Sequence, residues 1–330
     1  MLSGGSEIKG CSTFYNEPYE IKLIITSEGT NIEVRDSKPD FYTTVYAKEP
    51  VGGLFSHTES IGGLAGFEFL KTMNNPLEIA ETTKTLVKEF FMASKAPTGE
   101  QVVILDPTMV GLIVHEAIGH LAEADFVLAG SAFKDKLGKK ISSDLITIVD
   151  SGNELGSGWL PVDDEGVKTT PVTIIDKGTL SGFLHTRSSA AEMNQLPTGN
   201  ARANEFDDLP LVRMRNTFIS PSKRNAWKRE EIISDTKTGI LLAGDGEGSA
   251  DSTSEFMFTA LKPYLINNGE IKSLLKPCTI TGIGFEVLNM VDAVGDNWSL
   301  KMGNGSCAKM QPIKVDGGGP TIRTKCLVSS

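Results

Sequence analysis

Residues 106–120 read Asp-Pro-Thr-Met-Val-Gly-Leu-Ile-Val-His-Glu-Ala-Ile-Gly-His. Asp106 is of the residue type that caps helix N-termini, and Pro107 suits the first helical position, where its missing N–H costs nothing. Met109, Val110, Leu112, Ile113 and Val114 then cover most faces of the helix with apolar side chains, which makes it a buried helix. It runs directly into His115, Glu116 and His120. Two imidazoles and a carboxylate buried without partners would be strongly destabilising, and a bound metal ion removes that penalty.

The spacing of the two histidines carries a structural expectation. Residues five apart lie about 140° around a regular α-helix, which would splay the rings. A π-type turn, with i→i+5 bonding, returns them to one side. Gly119, just before the second histidine, offers least steric resistance to such a distortion. Catalytic zinc takes three protein ligands and keeps one position open for water. The third ligand is left open among His57, His185, a carboxylate such as Glu123 or Asp125, and a cysteine.

Outward from the motif, Gln101 to Leu105 reads as a short buried strand. Asn75-Pro76 opens a further helix whose apolar positions Ile79, Ala80, Leu86, Val87, Phe90 and Phe91 run on until Ala96-Pro97 stops it. Alternation at Ile21, Leu23 and Ile25, then Ile32 and Val34, with Glu28-Gly29 between them, predicts a β-hairpin within 18–46. Beyond the motif the pattern is mostly β. Hairpins are expected at Val172 to Ile175 with Leu180 to Leu184, and at Phe256 to Ile266 with Ile271 to Leu275. Short helices are expected at Ser188 to Gln195, Trp227 to Ser234 and Phe285 to Val294. The chain is divided near residue 100, into 1–100 and 101–330.

Composition narrows the function classes. The 330 residues hold 32 Lys and Arg against 42 Asp and Glu, a formal charge of −10. That balance argues against a nucleic-acid partner, which a clustered basic excess would favour. No apolar run approaches the roughly 18 residues that span a bilayer, so no membrane partner is expected. The first ten residues carry neither a basic nor an apolar signal region, and the four cysteines make no disulfide framework; a cytoplasmic location follows as the default. Cys11, Cys278 and Cys326 read as reduced thiols, and His57 and His185 as structural. The glycine-rich 244–248 stretch opens no helix in a βαβ unit, and its acids would repel a pyrophosphate, which excludes a dinucleotide loop. The acidic run Asp163-Asp164-Glu165 reads as a solvated turn.

HEAIGH followed by LAEADF resembles the signature helix of the TldD/PmbA metallopeptidases, in their active TldD-like branch. Further similarity runs through VDDEG at 162–166, VTIIDKGTLSGFLH at 172–185, PTGNARA at 197–203, PYLINNGEI at 263–271 and GSCAK at 305–309. The last resembles a C-terminal Gly-x-Cys-Gly-Lys stretch whose cysteine is the family's third zinc ligand. The resemblance thus implies His115, His120 and Cys307 as metal ligands, with Ala308 standing where glycine is usual. It implies Glu116 as the general base acting on water at one Zn²⁺ per chain. It implies an α+β protein: a partial α/β N-terminal domain, then a largely antiparallel β catalytic domain with the HExxxH helix at the site. It implies peptide or unfolded-protein substrates and a dimer, either with a homologous non-catalytic subunit or with a second copy. Family members carry more chain before the motif than the 114 residues here, so a shortened N-terminal domain is expected. The rival from another class is a non-proteolytic regulatory or scaffolding subunit, of the gyrase-modulator kind. Intact ligands and Glu116 favour the enzyme.

Overall fold

The computed structural model describes residues 7–49, 52–72, 75–221, 226–300 and 305–330. The first six residues of the stretch read for a signal lie outside them. The N-terminal part is a three-stranded sheet in the order Ile8–Asn16, Asp40–Lys48, Leu54–Gly62, antiparallel throughout. The helix Pro76–Met92 lies on it, packing Val87 against Ile8, Val45 and Ala47. Asn75 caps this helix as expected, its side chain accepting the Leu77 N–H at 3.0 Å. The helix stops at Met92 and not at Ala96, because Ala93 turns extended and Ser94 bridges to Leu275. Since the strands are antiparallel, this part is α+β where an α/β arrangement was expected. The hairpin Tyr19–Ile25 with Asn31–Ser37 forms as read and makes its own two-stranded sheet.

The strand Gly99–Leu105 enters a closed ring. It pairs in parallel with Thr238–Ala250, which pairs antiparallel with Glu255–Asn267. Cys278–Ile283 and then Ile322–Ser329 follow, and the last strand returns to Gly99–Leu105. Alternate residues point inward, as period-two geometry requires: Val103, Leu105, Ile240, Leu242, Phe256, Phe258, Ile280 and Val328 are all buried in one core. The 244–248 glycines sit in a bulge of this barrel, where the register shifts between Asp245 and Gly248. A side chain at Gly248 would meet the Met257 carbonyl at 2.5 Å, so the stretch is a strand pressed on its neighbour.

A second sheet runs Ser299–Leu300, Asp316–Gly319, Asn216–Ile219, Ile148–Ser151, Val172–Asp176, Thr179–Leu180. All its pairings are antiparallel except Asn216–Ile219 with Asp316–Gly319. The motif helix Pro107–Val114 leaves the barrel strand through Asp106 and lies between barrel and second sheet, with Met109 to Val114 all buried. The approach is close: a Cβ at Gly111 would stand 2.7 Å from the Gly317 carbonyl carbon.

Several short elements differ from expectation for local reasons. The chain after Leu180 leaves the hairpin because Leu184 bonds to the end of the motif helix, its N–H to Ala122 and its carbonyl to the Ala124 N–H. The short helices form at Arg187–Glu192, Arg229–Asp235 and Gly284–Asn289. The last ends early because Ala293–Val294 is recruited as a strand beside Ile322 and Arg323.

Candidate metal centre

Asp106 accepts the Met109 N–H at 2.9 Å, fixing the start of the motif helix. The α-helical bonding ends at Val114, and His115–Gly119 form a π turn in which the His120 N–H donates to the His115 carbonyl. This is the distortion that the five-residue spacing requires. The imidazole centroids are 5.0 Å apart with planes at 79°. Inside the turn, the Ser254 hydroxyl donates to the Ala117 carbonyl at 2.8 Å. Gly119 has ordinary right-handed helical dihedrals. Sterics favour its smallness: a Cβ there would stand 2.0 Å from the Met214 sulfur and 3.3 Å from the Val114 carbonyl oxygen of its own turn.

Cys307 comes from the strand Ser306–Cys307, far along the chain, and its Sγ lies 3.3 Å from His120 Nε2. One donor atom each from His115, His120 and Cys307 falls within 4.8 Å of the others, the spacing of a shared metal ion. His115 is 1% exposed, and among the described residues neither of its ring nitrogens has a hydrogen-bond partner. A buried nitrogen without a partner costs roughly 1–3 kcal/mol. A cation at the convergence point accepts that lone pair, so these donors fit a metal.

The electrostatics agree. Burial pushes the Cys307 thiol up, but the two imidazoles outweigh it and bring it down to about 4. Burial also disfavours a charged His120, yet Glu123 and Cys307 outweigh it and raise its pKa to about 10. The surroundings thus favour the thiolate form of Cys307, the form that ligates a metal. Metal binding to such ligands releases protons, and two imidazoles with one thiolate leave Zn²⁺ with a net charge of about +1.

Glu123 and Asp125, third-ligand candidates from the sequence, do other work. Fully buried Glu123 accepts from His120 Nδ1 at 2.8 Å, which leaves Nε2 turned toward Cys307. Such a carboxylate–histidine contact fixes the ring and raises its basicity. Lys309 donates to Glu123 at 3.0 Å, to Asp125 at 2.6 Å and to the Val212 carbonyl at 3.1 Å. Buried Arg213 donates to the carbonyls of Cys307, Lys309 and Gln311, clamping the loop that carries the cysteine. Neither Lys309 nor Arg213 was found by sequence reasoning. The i,i+3 spacing of His120 and Glu123 was the one available signal.

Glu116 stays outside the three converging donors. Its Oε2 is 3.8 Å from His120 Nε2 and its side chain is 25% exposed, so it reaches the open side of the cluster. His57 is buried in the N-terminal sheet, bonded to Glu59 at 2.8 Å, which also holds Lys262 of the barrel. His185 is buried beside Ser189, with burial lowering its pKa. The acidic run is no solvated turn: Asp163 is buried and accepts the N–H groups of Glu165, Val167 and Ala201.

A family model described as the PmbA/TldA metallopeptidase C-terminal domain matches residues 98–329. The chain is 38% identical over 327 residues to a metalloprotease of Methanocaldococcus jannaschii, covering 98% of this chain and 70% of that protein. It is 35% identical over 252 residues to a zinc metalloprotease TldD homolog of Saccharolobus solfataricus, covering 76% of this chain and 55% of that protein. A solved candidate modulator of a DNA gyrase from Thermotoga maritima superposes with a TM-score of 0.80 at 20% identity, over 98% of this chain and 70% of that one. TldE from Thermococcus kodakarensis superposes with a TM-score of 0.73 at 18% identity, over 97% and 68%. These likenesses show the same fold.

Proposed function

The chain belongs to the PmbA/TldD metallopeptidase family, and from that premise and the cluster geometry we propose that it is a zinc-dependent peptidase of peptides or unfolded polypeptides. His115, His120 and Cys307 hold one zinc ion per chain. The observation that carries this is the convergence of three donors within 4.8 Å around a buried histidine whose nitrogens have no hydrogen-bond partner among the described residues. Zinc supplies Lewis acidity there, lowering the pKa of a water toward about 7 and polarising the scissile carbonyl. Glu116 takes the proton from the attacking water and passes it to the leaving amine, so the C–N bond breaks without a covalent enzyme intermediate. Glu123 and Lys309 hold His120 in one tautomer, and Arg213 holds the Cys307 loop.

Substrate lies extended along strand-rich walls and is recognised through its backbone, which makes unfolded chains the preferred class. The working form is cytoplasmic and pairs with a homologous subunit that lacks the motif, or with a second copy. The chain divides near residue 100, into an N-terminal domain and a catalytic unit. To test this, an unfolded polypeptide and its folded form are offered to the purified protein, with and without a homologous subunit. Cleavage of the unfolded form alone, lost on chelation and restored by zinc, is expected. Zinc-loaded protein inactive in every combination would favour the scaffolding role instead.

A further inference from the structure

A cavity of about 370 Å³ lies between the N-terminal hairpin and the catalytic unit. Its charged lining is balanced, with Glu20, Asp36, Asp164 and Glu205 against Lys22, Lys38, Arg202 and Lys314. Ser306, which precedes Cys307, and Ile313, which pairs with it, both line the cavity, so it borders the strand pair that carries the cysteine, although none of the three metal-site donors lines it. Its lysines are paired: Lys22 with Asp164 at 2.7 Å, Lys38 with Asp36 at 3.0 Å, and Lys314 with Asp40.

Arg202 differs. It is 5% exposed, and the only hydrogen bond of its guanidinium among the described residues runs from Nη1 to the Met214 carbonyl at 2.7 Å. The neighbouring buried arginines are differently placed: Arg213 spends its donors on three carbonyls, and Arg215 is ion-paired with Asp150. Among the described residues Nε and Nη2 of Arg202 have no hydrogen-bond partner, and the residue lines the cavity. Asp164, an acid of the same lining, is held by Lys22 and by the Ala203 N–H at 2.8 Å. A desolvated guanidinium fork with two donors facing a cavity is shaped for a carboxylate.

We propose that Arg202 binds a carboxylate of the peptide substrate in this cavity, setting where the chain lies relative to the metal cluster. The assignment rests on the peptidase reading only for the identity of the bearer, a peptide. Its carboxylate is either the C-terminal one or an acidic side chain. The test uses zinc-loaded protein carrying Glu116→Gln, so that peptides stay intact, and reads binding by fluorescence anisotropy. One short labelled peptide is made as the free acid, as the amide, and as the amide with a penultimate Asp. The acid is expected to bind at least about 10-fold more tightly than the amide, as for hydrogen bonds to a charged group. Tight binding of the Asp-bearing amide as well would assign the site to side-chain carboxylates too. Adding Arg202→Gln should erase the difference while zinc content stays unchanged. Equal affinity for acid and amide overturns the proposal, and it does so even if Arg202→Gln fails to fold. Acid-selective binding with no hydrolysis by the Glu116 protein would instead count against the peptidase reading alone.

Discussion

Two buried polar clusters flank the motif helix, and they are finished to different degrees. Around Asp150 every acceptor position is used. Oδ1 takes Arg215 Nε at 2.7 Å and Asn200 at 2.8 Å, and Oδ2 takes the Arg215 N–H at 2.7 Å and Thr217 at 3.0 Å. Around His115 the opposite holds: both ring nitrogens lack hydrogen-bond partners among the described residues, although the residue is 1% exposed. Both clusters cost desolvation energy; among the described residues the protein repays nearly all of it in the first, where Arg215 Nη1 alone lacks a partner, and none of it at the His115 ring. A polar cluster that closes on itself pins strands together, whereas one left open waits for something from outside.

The largest expected effect lies in the closed cluster. Asp150→Asn strands the Arg215 guanidinium and should lower the unfolding free energy by about 3–5 kcal/mol, measured by urea denaturation. A loss below about 1 kcal/mol would show that the network is not what holds those strands. In the open cluster, Glu116→Gln should leave the melting temperature and zinc content unchanged and lower hydrolysis by at least about 10²-fold. Loss of zinc would make Glu116 a ligand, and full activity would remove it from the chemistry. Glu123→Gln should weaken zinc binding by about 10–100-fold, read by competition with a chelator. Unchanged affinity would mean that His120 orients itself without it.

The smallest effect is at Glu59, where the N-terminal sheet meets the barrel. Burial alone would raise its pKa, but His57 and Lys262 outweigh it and hold the carboxyl below its ordinary value of 4.5. A depressed folded pKa means stabilisation that is full above the unfolded value and lost as pH falls through the folded one. Glu59→Gln should therefore cost up to about 1 kcal/mol at neutral pH, and the two stability curves should converge in acid. A difference that grows on acidification would contradict this pairing.

Local features were legible in the sequence. Asp106 and Asn75 cap the helices read from them, and the five-residue histidine spacing translated directly into a π turn. Closure of the barrel was not legible, because Gly99–Leu105 finds its parallel partner more than a hundred residues away and no local pattern encodes that register. The same distance problem hides Cys307, which meets His120 across 187 positions; family resemblance, and not spacing, pointed to it. Gly119 was marked for its small size, and the Val114 carbonyl of its own turn is close to where a side chain would start, but the nearer obstacle, the Met214 sulfur, comes from a distant segment that no local pattern reveals.

Zinc content after exhaustive dialysis tests most directly whether the open cluster is a metal site. Elemental analysis of the unsubstituted chain should return one zinc per chain, and Cys326→Ala, whose thiol is buried in the barrel core, should match it. Cys307→Ala should retain only a small fraction of that zinc. Equal retention by the two cysteine variants, or no zinc in the unsubstituted chain, would contradict the assignment of His115, His120 and Cys307.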